Sequence, residues 1–166
     1  MSNSSKADWP IRSQGRGRHR ATAEEGFTLI ELLVVILIIG ILAGIAIPSF
    51  LSQKTKAYDA SAKELARTAQ TTAETIATDT GNEYEKITTS ELHNFEKALP
   101  TTEAEAGSNA WLSATTHTPT TYSVTTTAAN TGDEFSIARN TNGEVSRTCK
   151  SGPSKSGCSG HETSTW

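Results

Sequence analysis

Few side chains in this sequence have the type and spacing to do chemistry. Cys149 and Cys158 stand near the end in "TCKSGPSKSGC", separated by Ser, Gly, Pro and Lys that read as an exposed loop. Three chemistries are open to them: two unrelated thiols, oxidation to a loop-closing disulfide, or metal binding with His161. The last spacing fits no common zinc pattern. Asp133 and Glu134 form a turn-like acidic pair, but calcium would need further oxygen ligands at regular spacing. His93 and His117 are single histidines, and His93 reads as a solvated side chain rather than a ligand. The sequence contains no phosphate loop, no HExxH and no nucleophile elbow. Catalysis, a cofactor and a resident metal are therefore not expected.

The remaining candidate is Glu31. It is the one ionisable side chain between Phe27 and Ile47, in "GFTLIELLVVILIIGILAGIAIP". These 21 residues, at ~1.5 Å per helical residue, are long enough to cross a hydrocarbon core of ~30 Å. A carboxylate at the bilayer centre costs roughly 2.5–3.5 kcal/mol even on lenient scales, so its presence requires compensation.

The flanks orient the segment. Five basic residues (Lys6, Arg12, Arg16, Arg18 and Arg20) stand against three acidic ones before Phe27. Ten basic residues stand against fifteen acidic ones after it, for a net charge of −3. Positive charge stays cytoplasmic, so the residues beyond Pro48 are expected outside, where the cysteines would meet an oxidising space. The mildly acidic remainder has no clustered Lys and Arg, and nucleic-acid binding is left uncertain. A cleaved secretory signal peptide fits poorly, because the apolar stretch is too long and the helical pattern continues after it. A plain anchor leaves Glu31 unexplained.

Residues 26–58 resemble the class III signal of type IV pilins and of the related pseudopilins. Gly26, then Phe27, then Glu31 five positions into the new chain, followed by an unbroken apolar helix, carry the resemblance, although Glu24 and Glu25 stand where many members are basic. It implies cleavage between Gly26 and Phe27 by a prepilin peptidase, N-methylation of Phe27, and a helix loosened at Gly40 and Pro48. The Glu31 carboxylate would meet the Phe27 amine of a neighbouring subunit and so set the axial register. A charge unpaired in lipid is costly, whereas a paired one is tolerable. The competing reading is a glutamate that snorkels to the headgroups. Gly40 and Gly44 also make a G-x-x-x-G, a weak signal for close helix approach.

The resemblance further implies a homopolymer built with an assembly ATPase and a membrane platform protein. The subunit would wait in the cytoplasmic membrane with its N-terminus cytoplasmic, then join a cell-surface filament serving adhesion, motility or DNA uptake. A pseudopilin of a secretion or competence system shares this logic, and the Cys149–Cys158 pair favours the pilin. A monomeric membrane-anchored binding module is the alternative from another class.

The elements behind these residues are legible by period. Leu51, Tyr58, Ala62, Leu65, Ala69, Ala73 and Ile76 recur at threes and fours, which predicts an amphipathic helix ending at Gly81. Thr88 with Glu91 predicts a capped short helix over 89–98, with Leu92, Phe95 and Leu99 on one side. From Ala110 the period becomes two: strands are expected around Trp111, in "TYSVTTTA", in "EFSIAR" and in "GEVSRTC", with the abundant threonines of 115–131 on an exposed surface. The expected fold is α+β, a long N-terminal helix on a small antiparallel sheet with a disulfide-closed C-terminal loop. Its parts are a leader (1–26), a transmembrane or filament-core helix (27–48), an amphipathic half (49–81), a connecting region (82–109) and the sheet with its loop (110–166).

Overall fold

The computed structural model describes residues 26–81, 83–107, 109–153, 157–158 and 164–166. The leader's basic residues and His161 lie outside these. The chain divides into two compact units, Met1–Gly40 and Ile41–Trp166.

Helix α1 runs over Leu29–Asp79. In the first unit its side chains are exposed, as expected of a stripe with no aqueous partner. In the second unit its buried positions are Asp59, Ala62, Ala66, Ala69, Thr72, Ala73, Ile76 and Ala77. Their three- and four-residue spacing is the predicted one, but the stripe starts later. Leu51 is 61% exposed, and burial begins at Asp59, where a sheet is available to receive the helix. Four of the buried residues are alanines wholly shielded from solvent, which lets the helix backbone approach the sheet closely. The helix stops at Asp79, and Gly81 takes the left-handed conformation (φ 76°) that favours glycine after a helix end.

Helix α2 covers Thr89–Phe95. As its sequence signature requires, the Thr88 hydroxyl accepts from the Glu91 N–H at 3.1 Å. It ends three residues before the predicted limit: Glu96 leaves the helical region for an extended conformation (φ −124°, ψ 97°), and its carboxylate accepts from the Ala98 N–H. The early stop also changes the apolar face. Leu92 and Leu99 are buried, but Phe95 is 52% exposed, since Leu99 no longer follows it on a helical turn. His93 is half-buried and not simply solvated: its Nδ1 bonds Leu99 O at 2.7 Å, which makes Nδ1 the donor. A further turn, α3 (Glu103–Ala106), follows.

Five strands form one antiparallel sheet in chain order: β1 (Ala110–His117), β2 (Tyr122–Ala128), β3 (Glu134–Arg139), β4 (Val145–Lys150) and β5 (Ser164–Thr165). Four were expected, and β5 is a two-residue addition beside β4. Along β2 every second residue is buried, so one face meets the core. Tyr122, Val124, Phe135 and Ile137 supply that face. The threonines divide accordingly. Thr126 is fully buried, and its hydroxyl bonds Ala62 O of α1 at 2.8 Å; Thr131 is buried too. The exposed-surface reading therefore fails at those two positions, because each hydroxyl has an acceptor inside.

Helix and sheet are also tied by polar groups. Glu74 accepts from the Tyr122 hydroxyl at 2.8 Å, the Tyr84 hydroxyl at 3.0 Å and the Arg139 guanidinium at 3.2 Å. Burial first, and the neighbouring Glu74 carboxylate second, push the Tyr122 phenol well above its ordinary pKa of 10.0. A raised pKa means that the folded state holds its proton longer than the unfolded chain. The contribution is thus fully present below pH ~10 and is lost as pH rises through the folded value. Melting temperature is expected to fall more steeply above pH ~10 in the wild type than in Tyr122→Phe. Parallel slopes in a thermal-melt series would refute this assignment.

At the sheet's far edge Trp166 donates its indole N–H to Thr148 O at 2.9 Å and meets Phe135 edge-on at 5.7 Å. Lys63, Arg67 and Arg147 lie within about 6 Å of the indole centroid, a range in which cation–π attraction acts. Cys149 and Cys158 are joined as a disulfide, with Cα atoms 5.7 Å apart. The free-thiol and zinc readings are thereby set aside. Closing so short a loop stabilises by about 2–3 kcal/mol in chain-entropy terms.

Candidate functional site

The chemistry-bearing residues of the first unit gather at the start of α1. Phe27 is nearly fully exposed and precedes Thr28, the residue before the helix. Glu31 Oε2 accepts from the Thr28 N–H at 2.8 Å and from the Thr28 hydroxyl at 2.7 Å. In return, the Thr28 hydroxyl oxygen accepts from the Glu31 N–H at 3.3 Å. This is a reciprocal capping box, in which two otherwise unsatisfied donors of the first turn are met by one Thr–Glu pair.

The register and snorkelling readings both overlooked this local role. Its signal is present in "TLIE", a Thr with Glu three residues later. Both bonds converge on Oε2, so Oε1 keeps its lone pairs for a donor from elsewhere. The carboxylate also lies at the positive end of the helix macrodipole. Locally, then, the arrangement holds an anion fixed in the first turn, one oxygen engaged and one available.

Gly40 and Gly44 have open space where a side chain would be. Helix α1 continues unbroken through Pro48. Proline has no N–H for the carbonyl four residues back, which is that of Gly44. The hydrogen-bond ladder therefore has a weak point at Gly44, a residue that is itself unfavourable inside a helix. The helix is long and apolar enough to cross a membrane, and its apolar window is 0% buried.

In the second unit two carboxylates lie inside the fold. Asp133 is fully buried, not turn-exposed, and Asp59, an interior residue of α1, is 2% exposed. Among the described residues no group of three or more His, Cys, Asp or Glu side chains is placed to hold a metal ion. A groove of about 450 Å³ beside α1, lined by Ala60, Ser61, Glu64, Leu65, Thr68 and Asn109, contains no catalytic pairing.

Residues 22–47 match the family described as "Prokaryotic N-terminal methylation motif". The segment that forms the first turn and apolar run is thus of the kind found at the head of type IV pilins and pseudopilins. A curated relative agrees: the chain is 55% identical over 38 residues to the "Type IV major pilin protein PilA" of Myxococcus xanthus (strain DK1622), covering 23% of this chain and 17% of that protein. The chain therefore spans well under two thirds of that relative's length. No solved structure matches the chain. Both matches rest on the N-terminal segment, and they support a pilus-subunit or pseudopilin family.

Proposed function

We propose that this chain is the structural subunit of a type IV pilus, made as a prepilin, cut between Gly26 and Phe27, N-methylated on Phe27 and polymerised through α1. The observation that carries the reading is the conjunction at the helix start. An exposed apolar helix begins with a fixed carboxylate in its first turn, inside the segment that matches the N-terminal methylation motif. Cleavage would create a cation at Phe27, and Glu31 Oε1 is an acceptor suited to the Phe27 amine of a second copy.

The subunit would wait in the cytoplasmic membrane, N-terminus inside, and pass to a surface filament through a prepilin peptidase, an assembly ATPase and a platform protein. Gly40, Gly44 and Pro48 would let α1 loosen as neighbours pack. The decisive measurement is the N-terminal peptide mass in filaments sheared from native cells. A peptide beginning at methylated Phe27 is the expected result. The same peptide confined to the membrane fraction would indicate a pseudopilin, and an uncut chain would indicate a monomeric anchor.

Processing has its own test. Gly26 has nothing around it that excludes a side chain, so Gly26→Leu should leave folding alone while blocking the peptidase. The uncut mass is expected to account for nearly all of the product, and an unchanged ratio of cut to uncut chain would reject Gly26 as the cleavage site.

A further inference from the structure

The loop between the cysteines is held by more than its disulfide. Asp133 accepts from the Gly152 N–H on Oδ1 at 2.6 Å and from the Gly157 N–H on Oδ2 at 2.8 Å. Gly152 lies three residues after Cys149 and Gly157 one residue before Cys158, so a single buried carboxylate grips both ends of the loop. The Ser151 hydroxyl adds a bond to Cys158 O at 2.8 Å. Asp59 of α1 accepts from the Thr131 hydroxyl at 2.8 Å.

Both glycines are sterically required. A Cβ at Gly152 would run into the backbone of Thr131 and Gly132, and one at Gly157 would run into the Asp59 carboxylate. The loop ends are thus seated against α1 and the β2–β3 turn by contacts in which neither sulfur takes part. Both carboxylate oxygens are engaged by backbone N–H groups, one from each end of the loop.

We propose that Asp133 is a positioning residue for cysteine pairing: it closes the loop with the thiols still reduced, so that oxidation becomes an intramolecular step and the loop stays closed when the disulfide is reduced. The oxidant is a disulfide, either a small molecule or a dithiol oxidoreductase. One cysteine thiolate attacks it, forming a mixed disulfide and releasing one thiol. The second cysteine thiolate attacks the protein sulfur of that mixed disulfide, forming the Cys149–Cys158 bond and releasing the second thiol. The two cysteine protons end on the released thiols, and the two electrons reduce the oxidant. The second step, between groups held close, gains in rate and equilibrium with their effective concentration.

The test uses the full chain in detergent, equilibrated with reduced and oxidised glutathione and read by thiol trapping and mass. Asp133→Asn retains one acceptor oxygen and turns an N–H donor towards a second N–H. It is expected to lower the effective concentration of the cysteine pair by about tenfold or more. An unchanged value overturns the proposal. Since that variant could also unfold, a second measurement uses the wild type alone. In the reduced chain, amide exchange at Gly152 and Gly157 is expected to stay within about tenfold of the oxidised chain. Exchange of both amides at unstructured rates, with the sheet amides still protected, overturns it equally.

Discussion

Glu31→Ala or Glu31→Val is expected to reduce filament yield to near zero while leaving the chain in the membrane fraction in normal amount. The helix becomes more apolar, so insertion is if anything favoured. What disappears is an anion fixed in the first turn with one oxygen available to a neighbour. The capping box makes it possible to separate this role from simple helix stabilisation. Losing a cap costs typically ~1 kcal/mol, too little to remove a 51-residue helix but enough to loosen its first turn.

Glu31→Gln decides between the two. Its side-chain oxygen can still accept from the Thr28 N–H and hydroxyl, but the charge is gone. Thr28→Ala is the converse, keeping the charge and losing the hydroxyl of the cap. If register depends on an ion pair, Gln should assemble as poorly as Ala, and Thr28→Ala should assemble within a few-fold of wild type. The measurement is sheared-filament protein against membrane-fraction protein in native cells that also supply wild-type neighbours. Normal yield from Gln would sink the ion-pair account and leave the cap as the sole role of Glu31.

The second large effect lies in the other unit. Glu74→Ala should destabilise it by about 2–3 kcal/mol, since the Tyr122 hydroxyl is left buried without its acceptor and the Tyr84 hydroxyl and Arg139 guanidinium each lose one. The ion pair with Arg139 is about a third exposed on both sides, so the phenols carry most of the loss. Denaturant unfolding of the full chain in detergent, followed by tyrosine fluorescence, gives the number. Tyr122→Phe in the Glu74→Ala background should then add little, because the bond is already gone. Full additivity of the two substitutions would show that the phenol and the carboxylate act separately.

Fold class was largely readable. The switch from threes and fours to twos near residue 110 marks where helix gives way to sheet. The Thr88 cap was visible because a cap is local. What stayed hidden was long-range. Asp59, Glu74 and Asp133 look like surface acids in sequence, since nothing nearby announces the partners that hold Glu74 half-buried and make the burial of Asp59 and Asp133 tolerable. Those partners come from other elements: the β2–β3 turn for Asp59, Tyr122 and Arg139 for Glu74, and the cysteine loop for Asp133. Phe95 was misplaced for the opposite reason, because apolar spacing is a guide only while the helix continues, and α2 ends there. At the candidate site the Gly26–Phe27–Glu31 pattern is plain in sequence, whereas the bond from Thr28 to Glu31 depends on where the helix starts.

The sheet's strand order has a consequence for how the chain comes into being. Because β1 to β5 pair strictly in the order in which they are synthesised, each emerging strand finds its partner already made and need not wait for a distant segment. Such nearest-neighbour pairing keeps loop-closure costs low and folding fast. It also confines the unpaired edges of a growing nascent chain to two, that of β1 and that of the newest strand, which limits where neighbouring copies could aggregate edge to edge.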